Sequence, residues 1–353
     1  MGIEEFYRDK RVLITGNTGF KGSWLSQSLL ICGCNPIGYS LHPHTSPNLF
    51  TAIGLEKTIK THYGDIRNLG EVKRVFEREK PEILFHLAAQ PIVRESYEDP
   101  VYTLETNIHG TINILEAIRQ TDSVRSAVII TTDKVYKNKE KEVGYVEEDE
   151  LGGHDPYSVS KACVELISKS YEKSFFYEKE SPRIATARAG NVIGGGDWSK
   201  DRIIPDIVRS VYDDQELIIR CPDSMRPWQH VFDPLYGYLL LGKKLFEEGD
   251  GYVGAWNFAP EKSSFVPVIR LVNKGLQILG KGEYRIEKDD TKKETKVLKL
   301  DSTKAKNKLG WNSQINLDKT LGWTFGWYKN YYEGKNIVDF TNSQIREFFK
   351  YKF

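Results

Sequence analysis

The sequence predicts an α/β fold: a doubly wound, mostly parallel sheet followed by a smaller mixed α/β lobe. Three observations carry that expectation. Short β-branched runs alternate with longer segments of helical period through the first two-thirds of the chain. Several of those runs are apolar almost throughout, as parallel strands are when helices cover both faces of the sheet. The alternation then breaks at about residue 190, at the Gly-rich "GNVIGGGDWSKDR".

In chain order the expected strands are "RVLIT" (11–15), "NPIGYS" (35–40), "TIKTHY" (58–63), "EILFHLA" (82–88), "SAVIITT" (126–132) and "RIATAR" (183–188). Between them, helical spacing marks "FKGSWLSQSLLICG" (20–33), "LGEVKRVFEREK" (69–80) and "VYTLETNIHGTINILEAIRQ" (101–120). "GHDPYSVSKACVELISKSY" has the form of a capped helix, with Asp155 as N-cap and Pro156 in the first turn. Beyond residue 190, "WNFAP" and "EYRIEK" are expected strands, and "DKTLGWTFGWYKNYYEG" and "NSQIREFFKYKF" expected helices. At 353 residues the chain is long enough for two units. The division expected is a dinucleotide-binding sheet over 1–190 and a mainly substrate-binding lobe over 191–353, with some segments returning to the sheet.

Composition narrows the function. A net charge of +1 gives no electrostatic reason to expect nucleic acid or an anionic membrane. Seven Trp and 19 Tyr within a 39% hydrophobic composition supply an ample core. Cys32-Gly-Cys34 lacks the two-residue spacer of a zinc knuckle or redox pair, so the four cysteines read as structural thiols and no metal site is expected. "MGIEEFYRDK" has no apolar signal core, and Phe6 stands where a myristoylation motif wants Ser or Thr. No apolar run approaches the roughly 18 residues of a membrane span. A soluble cytoplasmic protein is the expectation.

"VLITGNTGFKGSWL" places Gly16, Gly19 and Gly22 three residues apart, directly after the first strand and opening the first helix. A tight turn alone accounts for one glycine. All three are explained where backbone must approach a pyrophosphate seated on a helix N-terminus. Thr18, Phe20 and Lys21 belong to the same loop. The second strand ends in "GYSLHPH", with no carboxylate for a ribose 2′-hydroxyl and no Arg for a 2′-phosphate. Ser40 is the ribose partner there, and NAD the expected cofactor. Asp65 and Ile66, after the third strand, stand where an adenine edge is read, although Asp65 also suits a turn. Leu87, Ala88 and Ala89, after the fourth strand, leave room for the cofactor. His86 reads as a satisfied structural histidine.

Tyr157 and Lys161 stand at i and i+4 on one helix face, one strand beyond this apparatus. A tyrosine acting as base near pH 7 needs its pKa brought down from about 10, or about 4 kcal/mol of phenolate stabilisation. A neighbouring Lys⁺ and a nicotinamide cation both work in that direction. Thr132, from the preceding strand end, completes a triad. In "TTDKVY" the adjacent Asp133 and Lys134 are either a solvated strand end or a pair placed to move protons.

With "TGNTGFKGSW", "TTDKVY", "PYSVSK", "RAGNVIGGGDW" and "RPWQHV" in place, the chain resembles the extended short-chain dehydrogenase/reductase family over nearly its whole length, and within it the nucleotide-sugar 4,6-dehydratases. "YSLHPHTSPNLF", the Thr-Asp-Lys triplet and "RPWQHV" resemble the branch acting on CDP-glucose; the dTDP-glucose branch carries Thr-Asp-Glu at the triplet. The resemblance implies a Rossmann sheet and a redox cycle serving deoxysugar biosynthesis of the O-antigen type. Hydride leaves sugar C4, water is lost across C5 and C6, and hydride returns to C6. Asp133 then acts as acid at the C6 hydroxyl. Lys134 acts as base at C5, which requires its pKa to fall about three units, roughly 4 kcal/mol, through desolvation and neighbouring cations. The alternative is an ammonium that stabilises the enolate.

The resemblance also places Asn191 and Arg226 at the pyrophosphate of the sugar nucleotide, with Arg202 and Trp228 in the same set and Arg94 at the sugar end. It implies a homodimer or homotetramer, with helices 101–120 and 157–174 pairing in a four-helix seam. A nucleotide-sugar 4-epimerase shares everything except the need for Asp133 and Lys134. A non-catalytic dinucleotide sensor has no use for Tyr157.

Overall fold

In the computed structural model, residues 2–178, 180–287 and 298–350 are described. The strands expected from sequence all form: β1 (Val12–Thr15), β2 (Ile37–Ser40), β3 (Lys60–Tyr63), β4 (Ile83–His86), β5 (Ser126–Ile130) and β6 (Arg183–Arg188). The strand expected at "WNFAP" forms two residues earlier, as β7 (Gly254–Asn257), and pairs parallel with β6, in register Gly254 to Ala185 through Asn257 to Arg188. The sheet order is β7-β6-β5-β4-β1-β2-β3 and all neighbours run parallel. The sheet therefore extends past residue 188, because "GAWN" returns to cover the β6 edge. The strand order reverses between β1 and β4, where doubly wound sheets open a crevice at their carboxyl ends.

Helices cover both faces, which is why the strands are apolar on both. α1 (Phe20–Ile31), α2 (Leu69–Glu79), α3 (Gly110–Arg119), α4 (Pro156–Phe175) and α5 (Phe232–Glu248) do most of this. Val12, Ile14 and Val128 bury with Trp24 and Leu25 of α1 and Leu235 and Leu239 of α5. Leu13, Leu84 and Ile129 bury on the other side with α2, α3 and α4. An N-terminal turn of helix, Ile3–Tyr7, unforeseen from its charged sequence, buries Ile3, Phe6 and Tyr7.

The helix expected over 101–120 is not continuous. Pro100–Leu104 and α3 are joined by a π-helical turn, Glu105–His109. The turn carries Asn107 inward, where its amide donates to Ser160 Oγ of α4 at 2.8 Å and to Gln90 O at 3.1 Å. That bulge ties the loop after β4 to α4, a use typical of π-turns near functional sites.

Beyond residue 190, Val192–Ile193 pairs with Gln229–His230, and Met225–Pro227 with Phe265–Pro267. Tyr284–Ile286 lies within "EYRIEK", paired with Leu217–Ile219, and the last expected helices are Leu317–Tyr332 and Ile337–Lys350. Lys288 and residues 351–353 of those segments lie outside the described residues. Gly195 sits where an added Cβ would fall 2.1 Å from the Trp327 ring, so it serves packing in the Gly-rich break. No helix among the described residues is long and apolar enough to cross a membrane.

Candidate active site

The glycines after β1 answer to different demands. Gly16 has φ +74°, and its added Cβ would lie 2.7 Å from Ala88 N, so the turn itself requires glycine. At Gly22 an added Cβ would overlap Gly16 O at 2.1 Å, which sets how closely α1 approaches the strand end. Gly19 has no such reason. Its added Cβ would meet only Gly16 O, at 3.4 Å. Gly19 is also the N-cap of α1, with no side-chain cap and no acidic residue in the first turn. Backbone donors and a positive helix end thus face a cleft lined by Thr18, Phe20, His44, Asn48 and Asp197.

Around this turn the expected cofactor residues gather, with one exception. Thr18 donates to Leu41 O at 2.9 Å and lies 2.8 Å from Ser40 Oγ, so Ser40 gives its proton to Thr18 and keeps lone pairs to accept a hydroxyl. The peptide of Ala88 donates to Thr15 Oγ1 at 3.2 Å, holding the segment Leu87–Ala89 across the crevice from Gly16. His86 is fully committed: its ring nitrogens lie 2.7 Å from Thr15 Oγ1 and 3.1 Å from Thr111 Oγ1. Burial pushes it down to about 3, so it stays neutral. The exception is Asp65, which is tied into its own turn: Arg67 binds both its oxygens, at 2.9 Å from the peptide and 2.7 and 3.0 Å from the guanidinium. Ile66 is buried against Gly110.

The catalytic candidates stand beside the same crevice. β5 ends at Ile130, and Thr132 and Asp133 follow, 6% and 4% exposed. Thr132 Oγ1 donates to Asp133 Oδ1 at 2.9 Å. The carboxyl group presses against Gly190 so closely that an added Cβ there would lie 2.0 Å from Asp133 Oδ2. Asp155 caps α4 as expected, accepting from Ser158 N at 2.9 Å, and sets Tyr157 and Lys161 on its inner face. Burial pushes the Tyr157 hydroxyl up to about 12, with Thr132 and Arg202 opposing only in part. Lys161 donates to Ile130 O at 3.2 Å, and burial brings it down to about 8. Lys21, in the first turn of α1, is likewise lowered to about 8, by burial and then by Arg202 and Lys161, while Asp133 opposes. The glycine loop therefore reaches the catalytic cluster through a cation.

Two sequence expectations change here. Lys134 is exposed, so the protein alone does not desolvate it. Its place in the one-turn 3-10 helix Asp133–Val135 leaves it exposed while Asp133 and Val135 bury. Trp228 is 6% exposed and donates to Val266 O at 3.3 Å, because its strand is covered by Phe265–Pro267. The indole belongs to the core, not to an open binding surface.

The remaining candidates each have partners within the protein. Arg202 binds Asp197 Oδ2 at 2.8 Å; burial opposes ionisation of that carboxyl, yet Arg202 and the Ser199 peptide hold it below the usual range. Asn191 has φ +50°, and its carbonyl accepts from Gln229 N at 3.2 Å. Arg226 donates to Met225 O at 2.9 Å. Arg94 pairs with Asp201, linking the helix Val93–Glu98 to the loop before Arg202. Among the described residues no group of three or more His, Cys, Asp or Glu is placed to hold a metal.

Residues 13–323 match the family described as GDP-mannose 4,6 dehydratase. A CDP-glucose 4,6-dehydratase of Salmonella typhimurium is 42% identical over 350 residues, 98% of both chains. A dTDP-glucose 4,6-dehydratase of Streptomyces venezuelae, solved with NAD bound, superposes with a TM-score of 0.78 at 22% identity, covering 93% of this chain and 99% of that one. An epimerase of Methanothermobacter thermautotrophicus gives 0.80 at 23% identity, covering 94% and 96%. These two establish the fold they share with this chain. From the match over residues 13–323 and the near-full-length 42% identity, the chain belongs to the GDP-mannose 4,6 dehydratase family of extended short-chain dehydrogenases/reductases.

Proposed function

We propose that this protein converts CDP-D-glucose to CDP-4-keto-6-deoxy-D-glucose using NAD. The observation that carries the reading is Asp133, a buried carboxyl group bonded to Thr132 at the strand end next to Tyr157 and Lys161. Epimerisation at C4 needs only the Tyr-Lys apparatus. A second buried acid beside it serves departure of the C6 hydroxyl. Identity of 42% with the Salmonella CDP-glucose enzyme supports the choice of sugar nucleotide.

NAD fits the residues present. Gly19 leaves its approach open, the uncapped α1 terminus offers donors to a pyrophosphate, and Ser40 has lone pairs for a ribose hydroxyl. When bound, NAD accepts hydride from sugar C4 and returns it to C6. Tyr157 takes the proton of the C4 hydroxyl on its phenol oxygen. From about 12, reaching the phenolate near pH 7 requires roughly 7 kcal/mol, so the base forms only when ligand charge joins Thr132 and Arg202. Lys134 removes the C5 proton, and the bound sugar covers its side chain, which is exposed beforehand. The C5–H pair becomes the C5–C6 double bond, and the C6–O bond breaks as Asp133 protonates the leaving hydroxyl, releasing water. Asn191, Arg202 and Arg226 hold the nucleotide pyrophosphate, and Arg94 the sugar end, in a substrate lobe built mainly by residues 191–353.

The same reading assigns a homodimer or homotetramer. Tyr97, Val101, Val159 and Leu166, 64, 63, 38 and 57% exposed, lie on the helices at 93–104 and on α4, an apolar face suited to a four-helix seam. The four free cysteines suit the reducing cytoplasm. The test is incubation with CDP-, dTDP-, UDP- and GDP-glucose, reading the alkali-induced absorbance of a 4-keto-6-deoxy sugar. Product from CDP-glucose is expected. A C4 epimer without loss of water overturns the reading.

A further inference from the structure

Beneath the catalytic face of α4 lies a buried ion pair that none of these steps uses. Glu165 stands one turn beyond Lys161 and two beyond Tyr157, so the three share one face of the helix. Its carboxylate is held from four directions. Arg188 Nε and Nη2 donate to its two oxygens at 2.9 Å each, and the Thr131 and Thr186 hydroxyls at 2.5 Å each. Both charged side chains are 3% exposed. The remaining guanidinium nitrogen of Arg188 donates to Tyr136 Oη at 2.6 Å and to Glu147 O at 3.1 Å. Tyr136 donates in turn to Asn257 Oδ1 of β7 at 2.9 Å.

The placement of these contacts matters more than their number. Thr131 immediately precedes Thr132-Asp133-Lys134, and Tyr136 follows that triplet by two residues. Glu165 and Arg188 therefore grip the catalytic segment on both sides. Lys161 bonds the carbonyl of Ile130, next to Thr131, and Gly190, against which Asp133 rests, lies two residues beyond Arg188. A buried pair is by itself weak evidence for stability, because desolvation offsets much of the attraction. Its ties to the ends of β5 and β6 and to α4 point to register.

We propose that the Glu165–Arg188 pair is a positioning element of the catalytic centre, fixing Thr132 and Asp133 at the end of β5 against Tyr157 and Lys161 on α4. The proposal rests on the reading of those residues given above. It also carries an electrostatic consequence. Lys161 faces Tyr157 and Glu165 of its own helix, Lys21 of α1 and His86 of β4. Burial lowers Lys161, and Glu165 opposes that lowering. Loss of the Glu165 charge therefore lowers Lys161 further, and its ammonium form disappears at a lower pH.

The test uses Glu165→Gln and the double variant Glu165→Met/Arg188→Met, which removes both buried charges and keeps a foldable comparison should the single change unfold. The expectation, per folded molecule, is a kcat for ketosugar formation lowered about 100-fold, with KM and NAD affinity within about twofold. In Glu165→Gln the alkaline limb of the rate profile should also move about one pH unit lower. A purely structural pair would reduce only the folded fraction. Either variant keeping kcat within about threefold of the parent, with the limb unmoved, overturns the proposal. If the parent itself transforms no nucleotide sugar, the activity reading fails separately. Positioning is then judged from the pH dependence of Lys161 acetylation, read by peptide mass spectrometry, where an unshifted profile in Glu165→Gln overturns it.

Discussion

Gly19 and Gly22 look alike in the sequence and answer to different partners. At Gly22 the neighbouring atom is the protein's own backbone, 2.1 Å from where a Cβ would stand; at Gly19 it is 3.4 Å away and the cleft is open. Gly22→Ala should therefore destabilise by about 3 kcal/mol or more through overpacking against rigid backbone, measured by urea unfolding. Gly19→Val should fold with a near-parent midpoint yet lose NAD binding by calorimetry, since only the ligand needs that space. Unchanged affinity in the folded variant would remove the pyrophosphate from this turn. Lys134 gives the second test at this scale. Lys134→Met should still oxidise C4, so reduced nicotinamide and 4-keto-hexose accumulate, while solvent deuterium no longer enters C5. Deuterium wash-in at the parent rate would exclude Lys134 as the base.

Between elements, α3 and α4 are joined by a titratable contact away from the chemistry. Glu116 accepts from Arg119 at 2.8 Å and from Tyr171 of α4 at 2.8 Å. Arg119 first, then Tyr171, brings Glu116 from 4.5 down to about 2. A folded-state value below the unfolded one means the contribution is present above 4.5 and is lost as pH falls towards 2. Glu116→Gln should cost on the order of 1 kcal/mol at pH 7 after solvent screening. The gap between parent and variant in urea midpoint should narrow as pH drops below 4.5. A constant gap across that range would show that packing, not charge, joins these helices. The π-turn at Glu105–His109 works at the same scale, using one extra residue to reach α4 through Asn107.

For the whole molecule, the sheet, its covering helices and the returning strand β7 make one frame, and the apolar face of α4 is left outside it. Leu166 is 57% exposed there, beside Val159 and within reach of the Val101 helix. If the proposed four-helix seam holds, Leu166→Glu should sediment as monomer where the parent sediments as dimer or tetramer, at little cost to the fold because the side chain is not in the core. A variant that sediments as the parent does would place the subunit contact elsewhere.

The sequence by itself determined the strands up to β6, the glycine turn and the pairing of Tyr157 with Lys161. Each is a local property: a continuous apolar run, a spacing of three, an i to i+4 step. Most of the candidate cofactor and catalytic residues stand close together for the same reason, since one turn, one strand end and one helix face carry them. Distant pairing decided the rest. β7 was expected as "WNFAP", but its bounds and its place at the sheet edge come from β6, a partner about 70 residues earlier. The burial of Trp228, whose indole donates to Val266 O, and the grip of Arg67 on Asp65 are likewise set by tertiary contacts. Lys134 is exposed while its neighbour Asp133 is buried, a difference that a one-turn helix makes and composition does not record. Glu165 and Arg188 read in sequence as an ordinary helix acid and a strand end; only the meeting of β5, β6 and α4 removes both from water and makes each require the other.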